Sequence, residues 1–300
     1  MGLIPVLALL AAASVRAEIT CPAGFAPITP GEFIMGGLLE GDPADEFPRH
    51  TVAITDEFCV SQTEITRAQW IEVMGTTPWL NADGTPRARV FGVPVENPAA
   101  GDNYPAQYVS WEDALDYIAR VNAAEDADHF RLPTEAEWEY ACRAGSQTAF
   151  AAGVTVETFG QFAWYSENTV NAGEDYPHET GGKTANGFDL QDTFGNVWEW
   201  CLDWYDANYY AISSHTNPAG PSWSPVSTKV IRGGSFQEFA QNPGLEDCRV
   251  SNRSHALPQG RFPQVGFRLV WVQNPPPRPP AAAGDSGGGC FLGASLPPGF

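Results

Sequence analysis

The sequence is short of positive charge. Lys and Arg total 16 against 36 Asp plus Glu, a formal net charge of -20. Such a surface repels phosphate backbones and anionic lipid heads and argues against nucleic acid as a partner. Long apolar runs are also missing. The stretch from Leu3 to Ala13 is too short to span a bilayer, so no transmembrane segment is expected. No two cysteines form a CxxC pair or a Cys/His spacing suited to structural zinc. The five histidines, His50, His129, His178, His215 and His255, include no HxH or HxxxH pair that would preform an iron triad. There is no internal repeat, and long regular elements are absent.

What is present begins with an export pattern. The apolar stretch is followed by Val15 and Ala17, the small-residue arrangement that export peptidases cut after, so residues 1–17 read as a signal peptide and the mature chain starts near Glu18. A secreted, periplasmic or cell-surface location follows. There the cysteines Cys21, Cys59, Cys142, Cys201, Cys248 and Cys290 can oxidise. Spacing cannot decide the pairing, and the two pairs favoured are Cys21 with Cys59 and Cys201 with Cys248. One domain is expected over residues 18–273. Residues 274–300 shift to Pro, Ala and Gly, cannot bury a core, and read as a flexible tail carrying Cys290.

Three stretches carry helix signals, each opened by a hydroxyl residue with an acid or amide three positions on. They are Thr66 with Gln69, running to Gly75; Ser110 with Asp113, running through Val121; and Thr134 with Glu137, running to Gly145. Short apolar runs at 33–35, 50–54 and 265–272 read as strands between Gly-, Pro- and Asn-rich loops. With 30 Gly, 26 Pro and 10 Trp, an irregular, loop-rich α+β single domain braced by aromatic rings is expected.

Two segments carry candidate chemistry. Around Gly195-Asn196-Val197-Trp198-Glu199-Trp200, the side chains of Asp192 and Glu199 and the carbonyls of Gly195 and Val197 could converge as the hard-oxygen shell that calcium prefers. The alternative is that Glu199, costly to bury among rings, meets an Arg or backbone amides. In the second segment, Arg232-Gly233-Gly234-Ser235-Phe236 precedes Arg249, Asn252, Arg253, Arg261 and Arg268. These arginines either pair with internal carboxylates or recognise an anionic ligand.

Taken in order, Gly31 to Gly36, Thr63 to Thr66 with Gln69-Trp70, Pro105 to Trp111, Arg131 to Ala141, Gly195 to Trp200, Arg232 to Phe236 and Gly266 to Val270 resemble the formylglycine-generating enzyme, or sulfatase-modifying factor, family over roughly residues 22 to 273. The resemblance implies a formylglycine-generating-enzyme fold related to C-type lectin-like folds, with calcium held at the positions of Asp192, Gly195, Val197 and Glu199. True members oxidise a sulfatase cysteine through two copper(I)-binding cysteines. Those positions fall here at Glu238 and near Pro243, so copper is not expected and the parent oxidation is not expected to persist. The expectation is an exported binding or accessory protein taking a peptide, glycan or small molecule at Ser235, Glu238, Arg249, Asn252 and Arg253. Its alternatives are an oxygen-dependent enzyme with an atypical site and a structural envelope or surface component.

Overall fold

The computed structural model describes residues 19–38, 41–87, 101–150, 154–155, 157–237 and 248–275. The expected leader, Glu238, Pro243 and Cys290 lie outside them. The ordered elements are β1 (Phe25–Ile28), β2 (Gly31–Met35), β3 (His50–Ile54), β4 (Phe58–Ser61), α1 (Arg67–Met74), α2 (Trp111–Glu125), β5 (Phe130–Arg131), α3 (Glu135–Arg143), β6 (Trp198–Trp204), β7 (Lys229–Arg232), β8 (Ser254–Ala256), β9 (Val265–Gly266) and β10 (Val270–Trp271). Among the described residues no helix is long and apolar enough to cross a membrane.

All three helices start where the hydroxyl signals place them. Thr66, Ser110 and Thr134 each accept a hydrogen bond from the backbone N–H three residues on, and Gln69, Asp113 and Glu137 each reach back to the cap N–H. Two otherwise orphaned donors are thereby satisfied at every start. α1 stops at Gly75, whose φ of 67° is open to glycine without strain.

Strands order into three sheets, β1-β4-β10-β5, β2-β3 and β8-β7-β6-β9. The run at 265–272 is not one strand. β9 pairs in parallel with β6, and β10 pairs antiparallel with β4 and β5. Between them the chain crosses from one sheet to the other, and Arg268 at the crossing turns into the protein with 1% exposure.

β6 carries the period-2 logic of the interior. Trp198 and Trp200 face an apolar cluster with Tyr117, Ile231 and Phe267, whereas Cys201 belongs to another with Trp138, Cys142 and Phe194. Rings interlock in the first cluster: Trp70 stacks on Tyr117 at 5.7 Å, and Phe267 meets both edge-on.

The Cys21–Cys59 disulfide forms and ties the chain start to β4. Cys201–Cys248 does not: both are buried thiols in one apolar cluster, along with Cys142, and their sulfurs pack as small hydrophobes.

Loss of the α3 cap should be measurable. Thr134→Ala leaves the Glu137 N–H without its acceptor, and urea denaturation should show about 1 kcal/mol less stability.

Candidate functional site

α3 supplies two acids on one face. Glu135 and Glu139, four residues apart, both point at the β8-β7-β6-β9 sheet and are at most 2% exposed. Arg232 of β7 reaches both: its Nη1 donates to Glu135 Oε1 at 3.2 Å and its Nη2 to Glu139 Oε2 at 2.5 Å. Arg143 donates to Glu139 Oε1 through Nε and Nη2. Arg253 grips Glu135 with Nε at 2.7 Å and Nη2 at 2.9 Å, and its Nη1 donates to the carbonyls of Asp45 and Asp206. Arg249 forks onto Glu46, with both contacts at 2.8 Å.

The neighbouring unit centres on Glu199. Arg268 donates to its two oxygens at 2.6 Å each, and the Trp138 indole N–H adds a third bond at 2.7 Å. Burial lowers the guanidinium affinity for its proton, but Glu199 more than compensates and Arg268 is held above its ordinary value. Burial likewise works against Glu139, yet Arg143 and Arg232 keep its carboxyl below the usual range. For Arg268 and Glu139 the opposite charge beside each outweighs the cost of burial.

The turn before β6 is glycine-dependent. Gly195 sits at φ 75°, and a Cβ there would lie 1.9 Å from the Trp164 carbonyl oxygen. Asp192 next to it is 2% exposed; its Oδ2 accepts from the Gly181 N–H at 2.6 Å, whereas Oδ1 has no hydrogen-bond partner. Glu64 is similar, with Oε1 accepting from Asn196 Nδ2 at 3.1 Å and Oε2 orphaned. Burial, then the Asp192 and Glu199 charges, push the Glu64 carboxyl well up. Burial also raises Asp192 to about 6. Among the described residues no group of three or more His, Cys, Asp or Glu side chains converges as a metal cluster.

On the opposite face of the β8-β7-β6-β9 sheet lies a cavity of about 350 Å³, bordered by Trp198, Asn252, Ser254, Phe262 and Gln264, with Ile231 at its base.

The sulfatase-modifying factor enzyme 1-like domain matches residues 12–273 of the chain. The chain belongs to that family. Within the sulfatase-modifying factor family it is 31% identical to the formylglycine-generating enzyme of Streptomyces coelicolor over 301 residues, covering 86% of this chain and 90% of that protein. Its fold is shared with Treponema denticola variable protein 1, at TM-score 0.67 and 24% identity, covering 82% of this chain and 94% of that one. PvdO from Pseudomonas aeruginosa matches at TM-score 0.66 and 23% identity, over 84% of this chain and 99% of its own. The expected fold type is thereby established.

Several expected site residues are engaged inside the fold. Glu199 has both oxygens taken by Arg268, so of its two anticipated fates the ion pair is the one observed. Arg249 and Arg253 hold internal carboxylates, because a buried guanidinium in so acidic a chain finds acids sooner than ligand. Ser235 is 0% exposed and its Oγ accepts from the Gln237 N–H, so it offers nothing to an external molecule. Asn252 and Arg253 do border the cavity, yet all Arg253 donor nitrogens are spent inward. Two groups of interest went unassigned by motif. Glu64 lies in the Thr63-Glu64-Ile65-Thr66 motif, where an acid beside apolar Ile65 is the available signal. Asp203, 3% exposed, accepts from the Glu135 N–H at 2.9 Å.

Burial, with the Glu135 charge adding to it, lifts Asp203 to about 8. Between the unfolded value of about 4 and that folded value the native state holds a proton the unfolded chain has released, so this group's contribution to stability declines as pH climbs through that window. Urea midpoints of Asp203→Asn should decline less between pH 5 and pH 8 than those of the parent protein. Separately, Arg268→Met should destabilise the fold by about 3–5 kcal/mol, because Glu199 stays buried without its counter-charge. The double variant Arg268→Met with Glu199→Gln should recover part of that loss in the same urea titration.

Proposed function

We propose that the chain is an exported, calcium-stabilised member of the sulfatase-modifying factor family that binds a ligand and does not oxidise cysteine. The state of the thiols carries this reading. Cys142, Cys201 and Cys248 are at most 1% exposed, and burial pushes the thiols of Cys142 and Cys201 well up, so they stay protonated. Copper(I) needs thiolate sulfur. Glu238 and the stretch near Pro243, where the resemblance puts the family's redox pair, provide none.

Export is supported by the Cys21–Cys59 bridge, a bond that persists in oxidising compartments. Calcium is supported by the two orphaned oxygens, Asp192 Oδ1 and Glu64 Oε2, which need a cation or a proton between them. The donor chemistry fits a hard divalent ion at Asp192 with the backbone of the Gly195 and Val197 turn. Glu64 is the better second carboxylate, since Glu199 is neutralised by Arg268. Calcium would supply positive charge where two buried acids repel each other.

Purified mature protein incubated with copper(I), oxygen and a sulfatase-motif peptide should leave the peptide cysteine unchanged by mass spectrometry; conversion to formylglycine would overturn the reading. Millimolar calcium should raise the melting temperature, a chelator should reverse the rise, and Asp192→Ala should abolish it. A calcium-independent melting curve would remove the metal assignment alone.

A further inference from the structure

The ligand class can be read from the cavity on the sheet face. Its geometry follows from strand register. Trp200 pairs with Ile231, and Ile231 pairs with Ser254. Side chains of directly paired residues share a face, as do residues two apart on one strand. Trp198, Ile231, Ser254 and Ala256 therefore project together from β6, β7 and β8. Phe262 and Gln264, on the segment leading into β9, wall the open side. The Trp198 N–H donates to the Gln264 carbonyl at 2.7 Å, which fixes that wall against β6.

Among the described residues, the surface of this cavity offers little charge to a ligand. No carboxylate among the described residues borders it, so a cationic ligand finds no counter-ion there. Arg253 does border it, but Glu135 neutralises the guanidinium through two bonds and backbone carbonyls take Nη1. An anionic ligand would have to displace a buried ion pair. His255 also borders it, and burial holds its imidazole below the ordinary value, so that it is largely uncharged at neutral pH. The other groups on offer are uncharged. The Ser254 hydroxyl and the Gln264 amide make no side-chain hydrogen bond to another described residue, while the flat rings of Trp198 and Phe262 supply apolar surface. A hydroxyl and an amide can both donate and accept. Aromatic faces beside such groups suit a molecule that is apolar on one side and rich in hydroxyls around its edge.

We propose that this cavity takes an uncharged sugar ring, the terminal hexose or N-acetylhexosamine of a glycan. The inference rests on the reading that the chain binds a ligand, and it names the class. A volume of about 350 Å³ lies at the small end of ligand sites and holds one or two rings. An extended peptide fits less well, because recognition of a strand draws on backbone pairing along a sheet edge. Here the opening spans side chains across the face of all four strands.

The test is an array of immobilised neutral glycans, with sialylated and sulfated glycans and a peptide array in parallel, probed with the full chain. Hits are followed by calorimetric titration with the free mono- and disaccharides, which separates recognition of a single ring from recognition of a larger glycan. Neutral hexose or N-acetylhexosamine termini should bind and charged ones should not. Gln264→Leu and Ser254→Ala, checked for unchanged melting temperature, should each weaken binding by up to about tenfold, as loss of one hydrogen bond predicts. Neutral glycans that bind the variants and the parent equally would overturn the assignment to this cavity. A blank glycan array with peptide hits would overturn the sugar class while leaving ligand binding intact. Blank arrays of both kinds together with formylglycine formation would overturn the underlying reading as well.

Discussion

The interior of this protein depends on a set of buried arginines paired with buried carboxylates. Arg232 bridges Glu135 and Glu139, Arg253 clasps Glu135, Arg143 clasps Glu139 and Arg268 clasps Glu199. None of these side chains is more than 2% exposed. Taking single charges out of water is prohibitive, and only the matched geometry makes the arrangement tolerable. It ties α3 and the 248–253 turn to the paired strands β6 and β7.

That network helps explain how a chain of short strands and irregular loops keeps one structure. Each guanidinium also donates to backbone carbonyls: Arg232 to those of Ser251 and Val250, Arg268 to those of Ser61, Gln62 and Gln191. Carbonyls that a sheet would ordinarily satisfy are satisfied by side chains instead. At the cross-sheet step between β9 and β10, Arg268 reaches Glu199.

β6 divides the molecule chemically. Its odd positions, Glu199, Cys201 and Asp203, face the ionic and thiol side, where the carboxylates of Glu135, Glu139 and Glu199 are committed to arginines. Its even positions, Trp198 and Trp200, face the aromatic side, where the cavity opens. Stability and recognition thus occupy opposite faces of one sheet, and loops around the cavity can change without disturbing the ion pairs.

Much of this was legible in the order of residues. The capping boxes at Thr66, Ser110 and Thr134 placed three helices, because a cap is a local bond between neighbours in the chain. The motif series from Gly31 to Val270 carried the family, and with it the fold, since so many short patterns in one order seldom coincide. The pairing of Cys21 with Cys59 was anticipated, and that of Cys201 with Cys248 was not realised. Which acid each arginine would meet could not be read, because Glu199 and Arg268 are 69 positions apart and several carboxylates were equally eligible. Only the folded chain decided that Glu199 serves an arginine, that Ser235 is sealed inside, that Glu64 joins Asp192, and that Ser254 and Gln264 face one cavity. Local bonds are written in sequence spacing; partnerships across the core depend on which surfaces the sheets bring together.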